Sequence, residues 1–177
     1  MTDRIMLDIE TLGLEPGCVI LSIGASRFDH DGLTGEDWYA EIDIADCRGH
    51  GLTVDNETYE WWREQGEWAP VDGETPLREA LAQLTDWAGD ADEWWANSPK
   101  FDMAILEAAY GAVGLDAPWA YYELRDVRTL RALPGAVELE MEGREHHALD
   151  DARHQAREVA ATLQSVALGG SPSATTE

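Results

Sequence analysis

Two carboxylates, Asp8 and Glu10, stand two residues apart in the otherwise apolar run Ile5-Met6-Leu7-Asp8-Ile9-Glu10. The run reads as a strand, and on a strand residues i and i+2 point to the same face. The two acids therefore project together, where they repel, and burial makes the conflict worse. A divalent cation resolves it, because Mg²⁺ and Mn²⁺ take oxygen ligands from one or two carboxylates. Taken alone, the pair fits two surface acids on a solvent-facing edge equally well. Two further acids join it. Asp102 follows Asn97-Ser98-Pro99-Lys100-Phe101, and Asp151 lies in His146-His147-Ala148-Leu149-Asp150-Asp151-Ala152-Arg153. Both sit at expected helix starts, where an aspartate also favours the helix dipole without any further role.

The elements that must position these residues can be read from periodicity and punctuation. A strand is expected over Arg4–Ile9, then a Gly13–Gly17 turn, then a buried strand Val19–Phe28. A turn at 29–32 and an alternating strand over Asp37–Ile44 complete an antiparallel meander. Helices follow at Asn56–Gln65 and from Thr75-Pro76, with Thr75 as N-cap and Pro76 at the first helical position. The later elements are a strand at Glu93–Ala96, a helix Phe101–Tyr110, a strand Tyr121–Leu124, a helix Asp126–Leu133 and a final helix from Ala148 to Val166. A meander followed by alternating helices and strands is an α/β architecture with a mixed sheet. Residues 1–168 read as one domain, and 169–177 as a disordered Gly/Ser/Thr/Pro tail.

Composition narrows the setting. The 177 residues allow a sizeable core, and no apolar stretch approaches the roughly 20 residues of a membrane span. Cys18 and Cys47 lack metal-type spacing and there is no signal-like N-terminus, so a reduced, cytoplasmic protein is expected. The formal net charge is −24, with 36 acidic residues against 12 basic ones, of which only Lys100 is lysine. Acids spread through a chain that is 44% hydrophobic argue against a disordered acidic tail. They suit a solvated surface in a salty cytoplasm, as in a halophilic host, where screening relieves self-repulsion. A GC-rich genome also favours arginine over lysine, so the two causes are confounded. Residues 125–157 hold six arginines and seven acids, so a polyanion is expected to approach the side they build.

The three acidic segments, taken in order, resemble the motifs of the DEDDh 3′–5′ exonucleases, which have a ribonuclease H-like fold. The matching residues are Asp8-Ile9-Glu10, Asn97 through Phe101-Asp102, and His146-x-Ala148-Leu149-x-Asp151-Ala152. The Ile20–Ala25 run, Trp61-Trp62-x-x-Gln65 and Arg125-Asp126-x-Arg128-Thr129 are similar to one branch. That branch comprises the small stand-alone exonucleases of phages and their mycobacterial-type exoribonuclease relatives. The resemblance spans about residues 4–165 and implies a mixed sheet, antiparallel meander plus parallel strands, flanked by helices. It also implies removal of nucleotides from single-stranded 3′ ends as 5′-monophosphates, in DNA or RNA, and it suggests a homodimer. Asp8, Glu10, Asp102 and Asp151 would hold two Mg²⁺ or Mn²⁺ ions. Phosphodiester hydrolysis requires phosphate charge neutralised, a water deprotonated and a leaving oxygen stabilised, which two ions about 3.5–4 Å apart can supply.

The base is the less determined part. A histidine suits the role because its unperturbed pKa lies near neutrality. In a continuous helix His147 and Asp151, at i and i+4, share a face, while His146 lies about 140° away. The family pattern instead places the base five residues before the last aspartate, at His146. The two agree if His146 sits in the loop before the helix, and His146 is the expected base. By resemblance Thr11 and Leu12 meet the terminal nucleotide. Phe101 could stack on a base, with a core role equally open. Of Trp61 and Trp62, at most one is expected to face the groove, and Arg128 or Lys100 to hold a phosphate. A non-catalytic, metal-dependent module that binds 3′ ends is the alternative. Loss of one of the five residues would have marked it, and none is lost.

Overall fold

The computed structural model describes residues 2–65 and 73–169. Five strands form one sheet: β1 (Arg4–Thr11), β2 (Ile20–Phe28), β3 (Leu33–Glu41), β4 (Glu93–Ala96) and β5 (Leu124–Asp126), in the order β3-β2-β1-β4-β5. β1 pairs antiparallel with β2 and parallel with β4, β2 is antiparallel to β3, and β4 is parallel to β5. This is the expected mixed sheet. The helices are α1 (Ile44–Gly49), α2 (Asn56–Gln65), α3 (Leu77–Ala88), α4 (Asp102–Ala112), α5 (Val127–Arg131) and α6 (Ala148–Gly169). The expected tail beyond residue 169 lies outside the described residues.

The period of two along β1 separates the molecule into two cores. Ile5, Leu7 and Ile9 face the larger one, with Leu77, Leu81 and Leu84 of α3 and Ile105, Leu106 and Ala109 of α4. Met6 faces the other way, under Ala152, Ala156, Val159 and Ala160 of α6. Asp8 and Glu10 continue the Met6 row beyond its apolar part, so the acids emerge where α6 begins. Gly24, paired with Asp8 in register, makes that junction possible. A Cβ there would lie 2.3 Å from the backbone of Ala148 and Leu149, so only glycine lets the start of α6 rest on the sheet.

Several boundaries differ from the sequence reading. β3 starts at Leu33 rather than Asp37 and ends at Glu41. Its first residues are exposed on the sheet edge and show no alternation, yet Leu33 pairs with Phe28 of β2 across a register shift. The unexpected α1 is capped by Asp43, whose side chain accepts from Asp46 N. Thr75 does not cap α3. It is held in an isolated bridge to Ile42, and Leu77 N donates instead to the Asp46 carboxylate at 2.8 Å. β5 lies three residues later than expected, leaving Tyr121 and Tyr122 exposed in the preceding turn.

Candidate active site

The site lies at the carboxyl ends of the parallel strands β1, β4 and β5, where loops can leave the sheet and converge. Asp8 and Glu10 come from β1. The chain leaving β4 runs through Asn97 and Ser98 to Asp102 in the first turn of α4, whose carboxylate accepts from Ser98 N at 3.2 Å. Asp126, at the end of β5, caps α5 by accepting from Thr129 N, and Arg128 follows. α6 brings Asp151 in its first turn. Asp8, Glu10, Asn97, Asp102, Arg128, His146, Asp151 and Gln155 share the walls of one cavity of about 420 Å³.

Oxygen atoms of Asp8, Glu10 and Asp151 lie within 4.8 Å of one another. Asp102 borders the same cavity and is only 4% exposed. Burial holds all four carboxyls above the usual carboxylate range, and mutual repulsion adds to it at Asp8 and Glu10. Glu10 is pushed up to about 8, by burial first and then by Asp151 and Asp102. Asp102 rises to about 7 by burial, opposed by its backbone hydrogen bonds and the Arg128 charge. Four hard oxygen donors in excess of any nearby cation are a fitting set for small divalent ions such as Mg²⁺ or Mn²⁺.

The two histidines part company. His146 sits in the turn before α6 with φ 58°, a left-handed conformation uncommon outside glycine, though histidine adopts it more readily than most residues. Its ring meets Trp61 and Trp62 edge-on, centroids 5.1 and 6.0 Å away, at the mouth of the acidic cavity. His147 turns aside, stacked on Tyr39 at 4.8 Å, and its Nδ1 accepts from Asp150 N at 3.4 Å. The helical-face argument for His147 fails because α6 begins only at Ala148.

A second, mainly apolar groove of about 520 Å³ adjoins the acids, lined by Ile9, Thr11, Leu14, Trp61, Trp62 and Phe101 among others. Both tryptophans line it, contrary to the expectation of one. Their rings pack edge-to-face at 4.7 Å, which cancels the angular step between adjacent helical positions. Trp62 is nearly buried and donates from Nε1 to Thr11 O at 2.8 Å, whereas Trp61 is 40% exposed. Leu12 does not join the groove; its side chain is in the core, and Leu14 takes that place. Lys100 borders neither cavity. Sequence reasoning missed Gln155, whose Nε2 donates to Asp8 Oδ1 at 2.8 Å. Its position four residues after Asp151 was the available signal.

The profile of the 3′–5′ exoribonuclease Rv2179c-like domain matches residues 3–163. The chain belongs to this family. Membership makes it a 3′–5′ exonuclease hydrolase and agrees with the DEDDh motifs read in the sequence. Solved structures of DEDDh nucleases share its fold. Exonuclease I superposes with TM-score 0.69 at 16% identity over 93% of this chain and 41% of the other, so the family domain here spans well under half of that protein. The nuclease domain of 3′hExo, a DEDDh member bound to rAMP, matches with TM-score 0.61 at 13% identity over 92% of each chain. E. coli exonuclease I in complex with a 5cy-dA13 oligonucleotide gives TM-score 0.58 at 16% identity over 93% and 39%. No curated protein sequence matches the chain. Among the described residues no helix is long and apolar enough to cross a membrane.

Proposed function

We propose that this family member hydrolyses the terminal phosphodiester bond at single-stranded 3′ ends, using two Mg²⁺ or Mn²⁺ ions and releasing nucleoside 5′-monophosphates. The observation that carries the reading is the convergence of Asp8, Glu10 and Asp151 oxygens within 4.8 Å, with Asp102 and His146 on the same cavity. Asp8, Glu10, Asp102 and Asp151 would hold the ions. Bound there, such ions supply phosphate charge neutralisation and acidify water. His146, which borders the cavity, would accept the proton of the attacking water. Arg128 steadies the phosphate from the α5 side, and its exposure leaves it free to do so. The terminal nucleoside rests in the apolar groove, over Thr11 and between Phe101 and the tryptophans, where stacking is sequence-tolerant.

A negative molecule that must bind a polyanion favours a threaded end over a long duplex, because phosphate contacts dominate affinity along a duplex. The family description names RNA, and one structural neighbour is bound to a DNA oligonucleotide. The test therefore uses matched 5′-labelled single-stranded DNA and RNA with Mg²⁺ or Mn²⁺, in low and in molar KCl, beside Asp8→Ala. Stepwise 3′ shortening that vanishes in Asp8→Ala is expected, and the rate ratio names the preferred sugar. No shortening by folded protein in any metal or salt would leave an end-binding module instead.

A further inference from the structure

We infer that Gln155 is a positioning residue for the metal centre, holding the Asp8 carboxylate in the orientation that two cations require. The inference rests on the two-metal reading above. Asp8 lies on the central strand of the sheet, and its neighbours in the cavity are acids that repel it. A lone carboxylate in that setting would rotate away from its neighbours. Gln155 Nε2 donates to Asp8 Oδ1 at 2.8 Å, which restrains that oxygen and leaves the carboxylate further lone pairs for a cation. The amide comes from α6 one turn beyond Asp151, so a single rigid helix sets both Asp151 and the orientation of Asp8.

The residue type matters. A lysine or arginine here would form an ion pair with Asp8 and compete with a divalent cation for it. An amide donates a hydrogen bond without supplying a positive charge, as the partners of ligating carboxylates do in other metal sites. Gln155 is 6% exposed, and its Oε1 is buried with no hydrogen-bond partner among the described residues. A buried orphan acceptor costs stability, so packing alone gives no reason for an amide where a methionine of similar length would fit. The contact to Asp8 gives one.

The test is titration of metal-free wild type and Gln155→Met with Mn²⁺ by calorimetry, without substrate, followed by kinetics over a Mn²⁺ series. Loss of an outer hydrogen bond of this kind weakens metal binding by roughly 10- to 100-fold. The expected result is that loss for Gln155→Met, with an unchanged KM for the oligonucleotide and kcat largely recovered at saturating Mn²⁺. The melting temperature in EDTA should not fall. Gln155→Asn, which keeps an amide but withdraws it by one methylene, should show the same weakening if the methionine variant fails to fold. Mn²⁺ affinity within twofold of wild type in a folded variant would overturn the assignment, and so would a loss of kcat that saturating Mn²⁺ does not recover. Wild type that binds no Mn²⁺ would overturn the two-metal reading as well.

Discussion

At the scale of single residues, the candidate site is a region of stored repulsion. With burial and then the neighbouring acids holding Glu10 up to about 8, and burial holding Asp102 up to about 7, these two groups bind more protons in the folded protein than in the unfolded chain between about pH 4 and 8. Stability then falls as pH rises through that window. Metal-free protein should melt at a lower temperature at pH 8 than at pH 5, and Mn²⁺ should restore more stability at pH 8, where the acids must otherwise ionise unpaired. Glu10→Gln removes one member of the conflict. In EDTA at pH 8 it should melt several degrees above wild type while losing at least about 100-fold in kcat, consistent with loss of charge stabilisation at the reacting phosphate. Differential scanning fluorimetry with and without Mn²⁺ reads both effects; a lower melting point in EDTA would refute the repulsion account. The histidines give a second test. His146→Ala should lower kcat by about 10²- to 10⁴-fold, whereas His147→Ala loses its stacking on Tyr39 and its contacts to Asp150, none of them to the acidic cavity, and should keep activity within about threefold. Reversal of that ranking would move the base to His147.

At the scale of elements, α6 carries the geometry. It begins against Gly24, the register partner of Asp8, and brings Asp151 and Gln155 to β1 while its small residues Ala152, Ala156 and Ala160 allow close packing on the sheet. A methyl group at Gly24 must push the helix start outward, since the atoms it meets are backbone. Gly24→Ala should cost about 1–3 kcal/mol, the usual range for overpacking. It should also cut kcat by more than that loss implies at a temperature where the variant is fully folded, because small misplacements cost large factors in rate. Denaturant melts alongside single-turnover kinetics separate the two effects. A variant destabilised but with wild-type kcat would show that the start of α6 tolerates displacement. β4 and β5 contribute differently: they are short, and the chain leaving each enters a helix whose first residues bring Asp102 (α4) and Arg128 (α5) to one end of the sheet.

At the scale of the whole molecule, charge dominates. The expected arginine face turns out to be largely satisfied from within. Arg125 pairs with Glu93, Arg131 with Glu158, Arg153 with Asp37 and Arg157 with Glu142. Of the six arginines in that stretch, Arg128 is the one that borders the acidic cavity. Among the described residues these pairings leave no broad basic surface, so the proposed attraction for a polyanion would be local to Arg128. With a net charge of −24, self-repulsion opposes compactness and salt relieves it. The melting temperature of metal-free protein should rise between low and molar KCl, and the activity on short single strands should survive in molar salt if metal and base contacts carry the binding. A melting point that stays level or falls across that range would remove the case for adaptation to a salty interior.

The amino-acid sequence determined the strand carrying Asp8 and Glu10, the order of the three acidic motifs and most helix positions. Each is written locally, in a period of two or 3.6 and in residue types whose chemistry does not depend on neighbours far along the chain. α2 and β4 fall where periodicity placed them. The misplaced pieces β3, β5 and the start of α3 take hydrogen bonds from distant segments, as when Asp46 rather than Thr75 meets the first amide of α3, whereas the unexpected α1 is a short helix with a local cap at Asp43. The family pattern points to His146 against the helical-face argument for His147, and the tertiary structure supplies the physical reason that His146 borders the acids. A helix that starts one residue after His147, a left-handed turn at His146 and the two tryptophans of α2 fix that outcome together. It also decided that Leu12 is core, that both tryptophans line the groove and that Gln155 holds Asp8, because each depends on contacts made across the fold between positions that local periodicity cannot relate.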